Sequence, residues 1–290
     1  IGLGSCCMAS GSEAIKEIIE HKVADDNLNI AIKHVGCVGM CHQVPLVEVV
    51  PAKNEAKLYA KVQPRDIDQI IDKHFRSRNL FQRIKKNFFK SIENIQTDKD
   101  WDGIKRFELN VRDKQVAPFL DEQLPVATKD RGVLNPGDIE EYRHLGGFIA
   151  LNKALAMAPE QVIGEIEKSE LRGRGGAGFH TFKKWKIVRE QPSQTKYLIC
   201  NGDEGDPGAF MDRMILESYP YRVIEGMIIA AYAVGASHAY FYIRAEYPLA
   251  VERVYEALNK CRDNGYLGEN ILQSGFSLDI EIMEGAGAFV

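Results

Sequence analysis

The order of hydrophobic and polar positions predicts two α/β regions. In the first, residues 1–75, apolar side chains recur with helical spacing over residues 10–21 and 64–75. Shorter stretches that alternate or run apolar, as strands do, are residues 1–4, 28–34, 45–50 and 57–62. The predicted order is therefore β-α-β-β-α, followed by a stretch in which neither period continues.

The second region covers residues 136–290 and repeats a strand-then-helix order. Helices are predicted at residues 148–157, 159–169, 221–234 and 248–262, and a further one begins at Asp138. Strands are predicted at residues 197–200, 238–243 and 278–283. This alternation favours a mostly parallel sheet, which binds ligands beyond the carboxyl ends of its strands.

The two regions are joined by residues 76–135, which we interpret as an extended linker. Its start, residues 76–90, is basic and carries Phe81, Phe88 and Phe89. Such a stretch is either a solvated amphipathic connector or a helix that packs on a partner. The β-α-β-β-α order of residues 1–75 is that of a thioredoxin-like unit lacking one peripheral element.

Size and charge narrow the class of protein. The chain has 290 residues, which favours two domains, and its 45% hydrophobic and 27% charged residues are typical of a soluble globular protein. A net charge of −4 gives no reason to expect nucleic acid or an anionic membrane as partner. The apolar stretch at 227–234 is too short to span a bilayer. Because the chain starts at Ile1 and stops at Val290 within an apolar stretch, we expect a fragment of a longer polypeptide.

A glycine-rich segment, Leu171-Arg-Gly-Arg-Gly-Gly-Ala-Gly-Phe179, is the first candidate site. Glycines leave backbone N–H groups open to a ligand, and such a loop beside a helix N-terminus binds phosphate. Lys183 and Lys184 follow closely and add positive charge. The segment follows a predicted helix rather than a strand, so it does not match the dinucleotide fingerprint. A flexible glycine hinge is the alternative interpretation.

An acidic segment, Cys200-Asn-Gly-Asp-Glu-Gly-Asp-Pro-Gly208, follows the predicted strand 197–200. Three carboxylates within four positions are costly to bury without partners. One alternative is a solvated acidic turn. A second is a metal site, although the sequence offers no paired histidine for it. The third is a set of hydrogen-bonding groups for a flavin edge or ribose hydroxyls.

Four of the six cysteines lie in the first 41 residues: Cys6, Cys7, Cys37 and Cys41. A secreted disulfide framework would spread them more evenly, so we expect metal or redox use in a reducing, cytoplasmic compartment. Four thiolates hold a 2Fe-2S cluster, with Cys37 and Cys41 as a plausible ligand pair. Zinc or buried structural thiols are the alternatives.

Together these motifs resemble the flavin-bearing, NADH-oxidising subunit of respiratory NADH dehydrogenase and its soluble relatives in NAD-dependent hydrogenases and formate dehydrogenases. The resemblance covers residues 116–290 and includes Lys184-Trp185, Asp212-Arg213 and the segment 284–289. Residues 1–75 separately resemble the thioredoxin-like 2Fe-2S domain fused ahead of this module. The implied fold is an N-terminal thioredoxin-like domain, the linker 76–135, and a Rossmann-like α/β domain over 136–290 that is incomplete at its C-terminus.

The resemblance implies FMN and NAD(H) as cofactors and assigns residues to them. The implied phosphate cradle of FMN is Gly173, Arg174, Gly175 and Gly176, with Lys184 beside it. The implied flavin contacts are Asn201, Asp203 and Glu204, while Phe179 would stack on the nicotinamide and Asp206 would meet the ribose. No residue is assigned as an acid–base catalyst, because the cofactor carries the chemistry. Electrons would pass to iron–sulfur subunits of a larger complex.

The sequence departs from the family at several positions. His180 and Phe182 stand where the family usually has proline and glycine, and Asp206 stands in place of glutamate. If Cys7 is the second cluster ligand, Gly2 occupies the position of the first. The 4Fe-4S ligands of the family would lie beyond residue 290. A non-catalytic docking module without a cluster is therefore the alternative for residues 1–75, and the choice between NADH and NADPH stays open.

Overall fold

The computed structural model describes residues 1–52, 56–75, 108–109 and 123–286. The chain divides into two compact units, residues 1–133 and 134–290. Within the described ranges, no helix is long and apolar enough to cross a membrane. The predicted basic connector at residues 76–90, and most of the predicted linker, lie outside these ranges.

In the described residues of the first unit, short strands are accompanied by three α-helices. Its helices are α1 (Ser5–Ala9), α2 (Ser12–Asp25) and α3 (Ile67–His74), and its strands are β1 (Val47–Val49), β2 (Lys57–Tyr59) and β3 (Glu108–Leu109). The strands form an antiparallel sheet in the order β1-β2-β3. The predicted strands at 45–50 and 57–62 and the helices at 10–21 and 64–75 are therefore confirmed, with shorter strands than expected. Strand β3 is supplied by the stretch that the sequence predicts to be a linker.

The predicted strand at residues 28–34 is not regular in the structure. Directly after it, Val35 forms one parallel bridge with Gly2. Around this bridge, Val35 N donates to Ile1 O at 2.9 Å and Leu3 N donates to Val35 O at 3.0 Å. Apolar and polar residues do alternate over residues 28–34, but no neighbouring strand pairs with most of this stretch. It is therefore an extended segment without the repeated hydrogen bonds of a β-sheet.

The core of the first unit lies between the helices and the sheet. Helix α2 buries Ile15 and Ile19 in this core, and helix α3 buries Ile67, Ile70 and Ile71. From the sheet, the buried residues are Val47, Val49 and Tyr59. Burying a side chain of this size contributes about 1.5–3 kcal/mol, so these helical stripes account for the orientation of both helices.

The second unit is a parallel sheet with helices on one face. Its strands are β4 (Tyr197–Gly202), β5 (His238–Arg244) and β6 (Asp279–Gly285). Its helices are α4 (Ile139–His144), α5 (Ile149–Leu155), α6 (Pro159–Lys168), α7 (Thr181–Glu190), α8 (Met211–Ser218), α9 (Pro220–Val234) and α10 (Pro248–Asp263). The predicted strands and helices of this region are confirmed. Helices α7 and α8 were not predicted.

The predicted parallel sheet is confirmed. Strand β4 pairs in parallel with β5, and β5 pairs in parallel with β6. One face of β5 is buried through Ala239, Phe241 and Ile243. The opposite face remains partly open, since Tyr197 and Ile199 are 59% and 63% exposed. The three carboxyl ends of the strands lie at one edge of the sheet.

A buried carboxylate ties α9 to α4 and α5. Glu225 of α9 is 7% exposed. It accepts hydrogen bonds from the Tyr142 hydroxyl, from Phe148 N at 2.9 Å and from Leu151 N at 3.0 Å. The two backbone donors belong to the start of α5, where N–H groups have no partner within the helix. The pKa of Tyr142 is raised, mainly by burial and to a smaller degree by the hydrogen bond to Glu225.

Glu225→Ala should lower the unfolding free energy of the second unit by about 3 kcal/mol, because three buried donors lose their acceptor. Glu225→Gln keeps one acceptor oxygen and should cost less. Urea unfolding followed by circular dichroism measures both changes. Glu252→Gln, on an exposed position of α10, is the matched control and should stay within about 0.5 kcal/mol of wild type. Equal midpoints for Glu225→Ala and the control would contradict this account.

Candidate functional site

The glycine loop is a hairpin-like turn between α6 and α7. Arg172 and His180 form an antiparallel bridge at its base. Gly173 N donates to Phe179 O at 2.8 Å, and Thr181 N donates to Leu171 O at 3.0 Å. The Arg172 guanidinium also donates to Gly178 O at 3.2 Å. The base of the loop is thus fixed by backbone pairing, and its tip is left open.

The tip of the loop can accept a ligand close to its backbone. Gly176 and Gly178 have φ angles of +99° and +60°, in the region that glycine favours. A Cβ atom built on Gly175, Gly176 or Gly178 would have no heavy atom within 4 Å. The space beside these positions is therefore open, so glycine here serves backbone conformation and ligand approach rather than internal packing.

Charged and aromatic side chains surround this open backbone. Arg174 and Lys184 are exposed, and in the described part of the chain neither forms an ion pair. The Phe179 ring is 49% exposed. The loop thus offers N–H groups, two unengaged cations and an aromatic face together. These are the groups that a phosphorylated, ring-bearing ligand requires.

Helix α7 anchors the loop to the rest of the unit. Phe182 and Trp185 pack against a buried cluster that includes Val162 of α6 and Ala233 of α9. Arg189 pairs with Glu160 at 2.7 Å. Phe182, where the family usually has glycine, therefore contributes to packing. The neighbouring His180 ring contacts it edge-on, with centroids 5.5 Å apart.

The acidic loop begins where β4 ends. Gly202 is the last residue of β4, and a Cβ atom there would lie 3.0 Å from Leu216 and 3.1 Å from Tyr242 O. A side chain at this position would require α8 or β5 to give way by a few tenths of an ångström, which favours glycine. The chain then leaves the sheet at its carboxyl edge, where ligands bind in open α/β sheets.

Two residues that the sequence did not single out hold this loop in place. Arg244, at the end of β5, donates to Glu204 O at 2.8 Å, and the Tyr247 hydroxyl donates to the same oxygen at 2.8 Å. The Arg244 guanidinium also lies 3.7 Å from the Asp203 carboxylate. These contacts make Arg244 a positioning residue. No local sequence pattern marks it, because its partner lies beyond the neighbouring strand β4.

The carboxylate of Glu204 has a structural role in this conformation. Its oxygens accept from Asp212 N and Arg213 N, each at 3.1 Å, at the start of α8. An acid at a helix N-terminus is stabilised by unpaired N–H groups and by the helix dipole. A flavin contact by Glu204 stays a prediction.

Among the polar side chains of the acidic loop, those of Asn201 and Asp206 are exposed. Asn201 Oδ1 accepts from Asp203 N at 3.0 Å, which leaves the side-chain NH2 group as a donor. Asp206 precedes a turn in which Gly208 has a φ of +83°. Asp203 is mostly shielded, with 13% of its side chain exposed. The loop therefore presents one amide and one carboxylate to solvent.

The cysteines of the first unit are only partly brought together. The Sγ atoms of Cys37 and Cys41 lie 3.8 Å apart. Cys7 is buried and Cys6 is half-buried, on the same short helix α1. Burial raises the pKa of the Cys37 thiol. Within the predicted ligand set, Cys37 and Cys41 are in contact, and Cys7 and Cys6 are near enough to raise the pKa of Cys37 as well.

The donor set does not fit a four-thiolate cluster in this structure. Among the residues that the structure describes, no group of three or more His, Cys, Asp or Glu side chains is placed to hold a metal ion. A Cβ atom on Gly2 would lie 3.2 Å from Cys7 Sγ, so a side chain at position 2 would face the cysteine region. Glycine supplies no thiolate there. The assignment of Cys6, Cys7, Cys37 and Cys41 as metal ligands stays a prediction.

Comparison with known proteins confirms the resemblance for the second unit. Residues 166–290 match the family described as the Nuo51 FMN-binding domain. The NADP-reducing hydrogenase subunit HndC of Solidesulfovibrio fructosivorans is 50% identical over 169 residues, 58% of this chain and 34% of that protein. An NADH-quinone oxidoreductase subunit of Aquifex aeolicus is 51% identical over 152 residues, 52% of this chain and 35% of that protein.

Another relative is the NAD-reducing hydrogenase HoxS subunit alpha of Cupriavidus necator, 47% identical over 141 residues. These residues are 48% of this chain and 23% of that protein. The matched part spans about a third of the length of HndC and of the Aquifex aeolicus protein. A crystal structure of NAD+-reducing [NiFe]-hydrogenase in the H2-reduced state aligns with 99% of this chain and 43% of its own, at 24% identity and a TM-score of 0.42.

Cys200, next to the acidic loop, should react slowly with iodoacetamide at neutral pH. Burial, with a smaller contribution from Asp212, raises the pKa of its thiol from 9.0 to about 11. Folding therefore favours the protonated thiol, and this contribution to stability is lost as pH rises from about 9 toward about 11. Alkylation of the tryptic peptide 197–213, followed by mass spectrometry, should speed up about tenfold per pH unit up to that pKa. A plateau near pH 9, as for the urea-unfolded chain, would contradict this.

Proposed function

We propose, from the match of residues 166–290 to the Nuo51 FMN-binding domain, that this chain belongs to an FMN-dependent NAD(P)H:acceptor oxidoreductase. In this proposal it passes hydride between NAD(H) and FMN, and single electrons to iron–sulfur clusters of a larger complex. FMN, when bound, supplies the conversion between two-electron and one-electron transfer. The residues of the chain bind the cofactor, orient it and set its electrostatic surroundings.

The observation that carries the proposal is the open glycine loop. Open space beside Gly175, Gly176 and Gly178 allows a phosphate to reach the backbone N–H groups. Arg174 and Lys184 are exposed next to that backbone. Gly173 pairs with Phe179 at the base, so it would contribute by shaping the loop. The donor set fits the phosphate of FMN.

The acidic loop would hold the ring and ribose ends of the cofactors. The NH2 group of Asn201 is available to an acceptor on the flavin edge, because Asp203 N already binds its oxygen. Asp206 is exposed and would accept from ribose hydroxyls. Asp203 and Glu204 are engaged with Arg244 and the start of α8, so they would support the loop and offer their remaining lone pairs. Phe179 would stack on the nicotinamide.

The wider assignments follow the sequence resemblance stated above. We propose a thioredoxin-like fold for residues 1–75, a linker over 76–135 and a Rossmann-like cofactor domain over 136–290. Iron–sulfur electron-transfer subunits of a multi-subunit redox complex are the proposed partners, and the cytoplasm is the proposed location.

A second interpretation applies to the first unit alone. There the described residues group no three metal-binding side chains. This observation favours a docking module without a 2Fe-2S cluster. Electron paramagnetic resonance of the reduced protein distinguishes the two, because only a bound cluster gives a 2Fe-2S signal.

Arg174→Ala should weaken FMN binding about 10- to 100-fold, because a charge-assisted hydrogen bond to phosphate is lost. Riboflavin lacks the phosphate, so its affinity should change little. Quenching of flavin fluorescence measures both dissociation constants. Lys186→Ala is the matched control, since Lys186 lies in α7 beside Glu190, 3.9 Å away.

Comparison of the two changes in dissociation constant, for FMN and for riboflavin, tests whether Arg174 binds the phosphate. An equal loss for the two flavins in Arg174→Ala would place Arg174 elsewhere in the site. Failure of the wild-type protein to bind either flavin would overturn the proposed function.

A further inference from the structure

We propose that Tyr247 is a positioning residue of the cofactor site, because it holds the acidic loop in the shape that would bind the flavin ring. Tyr247 lies outside the glycine and acidic motifs, and its role rests on the function proposed above. It acts through the backbone of Glu204 and is given no contact of its own with a cofactor.

Tyr247 lies on a fixed turn between β5 and α10. Its backbone N–H donates to Arg244 O at 3.0 Å and closes this turn, while Ala245 N donates to Gly285 O at 2.9 Å. The side chain is buried, with 6% of the residue exposed. A phenol on such a support has a defined position, as a group that orients a binding site requires.

The Tyr247 hydroxyl fixes one carbonyl of the acidic loop. It donates to Glu204 O at 2.8 Å, and the Arg244 guanidinium donates to the same oxygen at 2.8 Å. Arg244 Nε lies 3.7 Å from Asp203 Oδ1, which is too far for a hydrogen bond. This Nε is also buried and has no hydrogen-bond acceptor among the residues that the structure describes. Glu204 O therefore accepts the hydrogen bonds by which this turn holds the loop.

The Tyr247 ring adds a second connection, to α8. The guanidinium carbons of Arg213 and Arg244 each lie over the ring, 5.5 Å from its centroid. Their side chains are 25% and 20% exposed, and cation–π attraction is stronger where water is partly excluded. Arg213 belongs to α8, and its backbone N–H donates to the Glu204 carboxylate. Glu204 is thus held by its carbonyl from the turn and by its carboxylate from α8.

Loss of this support should weaken binding through the shape of the loop. To bind the cofactors as proposed, the loop must present the Asn201 amide and the Asp206 carboxylate in one arrangement. If only a fraction of the molecules has that arrangement, the dissociation constant rises by the inverse of the fraction. The glycine loop has its own backbone pairing between Gly173 and Phe179, so the phosphate end should stay unaffected. FMN and riboflavin should therefore lose affinity equally.

Tyr247→Phe tests the hydroxyl, because it keeps the stacked ring and removes the donor to Glu204 O. We expect the dissociation constants of FMN and riboflavin, measured by quenching of flavin fluorescence, to rise about 3- to 10-fold. Their ratio should stay within about twofold of the wild-type ratio. Tyr247→Leu also removes the ring, so its losses should be larger, about 10- to 100-fold. Tyr255→Phe, at a 59% exposed position of α10, is the matched control and should change neither constant.

A spectroscopic measurement separates positioning from a general loss of stability. A bound flavin acquires circular dichroism in its visible band from the groups around its ring. At saturating FMN, Tyr247→Leu should alter this band, whereas a variant that is only less stable should keep it once folded and loaded. Tyr255→Phe should keep the wild-type band. Urea unfolding of each loaded variant checks that the compared proteins are folded.

The positioning role is overturned if both Tyr247 variants bind the two flavins with wild-type affinity while the wild-type protein binds FMN. A loss of affinity for FMN alone would also overturn it, because that result places Tyr247 at the phosphate. So would a loss for both flavins with an unchanged visible band. If Tyr247→Leu does not fold, Tyr247→Phe decides by the same two measurements. Failure of the wild-type protein to bind either flavin overturns the proposed function, and the role of Tyr247 falls with it.

Discussion

The second unit depends on the parallel hydrogen-bond register of β4, β5 and β6. Pairing of Gly202 with Ile243, and of Arg244 with Gly285, brings the ends of three strands to one edge. This register lets Arg244 of β5 reach the carbonyl of Glu204 beyond β4. A shift by one residue would turn Arg244 to the opposite face of the sheet. The shape of the acidic loop is therefore a consequence of strand pairing as well as of its own sequence.

Much of this arrangement is encoded locally and was predictable. The apolar run of α9 and the alternation in β5 predict the structures of these two elements, and the glycine and acidic motifs predict the loops at which we propose that ligands bind. Helix α8 was not predicted, because its start is stabilised by Glu204, which lies seven residues before its first residue, Met211. The role of Arg244 could not be predicted, because it depends on which strands are neighbours. Long-range partners of this kind leave little trace in local periodicity.

The first unit differs, because its predicted cysteine ligands lie on separate segments whose mutual orientation the motif similarity does not specify. The helices and two short strands follow their hydrophobic patterns. The four-cysteine cluster required Cys6, Cys7, Cys37 and Cys41 to converge, but adjacent residues on α1 point about 100° apart around the helix. Accordingly, Cys7 is buried and Cys6 is half-exposed. Spacing along the chain predicted the close Cys37–Cys41 pair and could not predict how α1 is oriented toward it.

The central claim is that the glycine loop and the carboxyl edge of the β4–β6 sheet together present FMN to a nicotinamide. The most direct measurement is anaerobic addition of NADH to the purified protein loaded with FMN, followed by flavin absorbance. The account predicts that the flavin band is bleached and returns when an electron acceptor is added. A bound flavin whose absorbance is unchanged by both NADH and NADPH would contradict it.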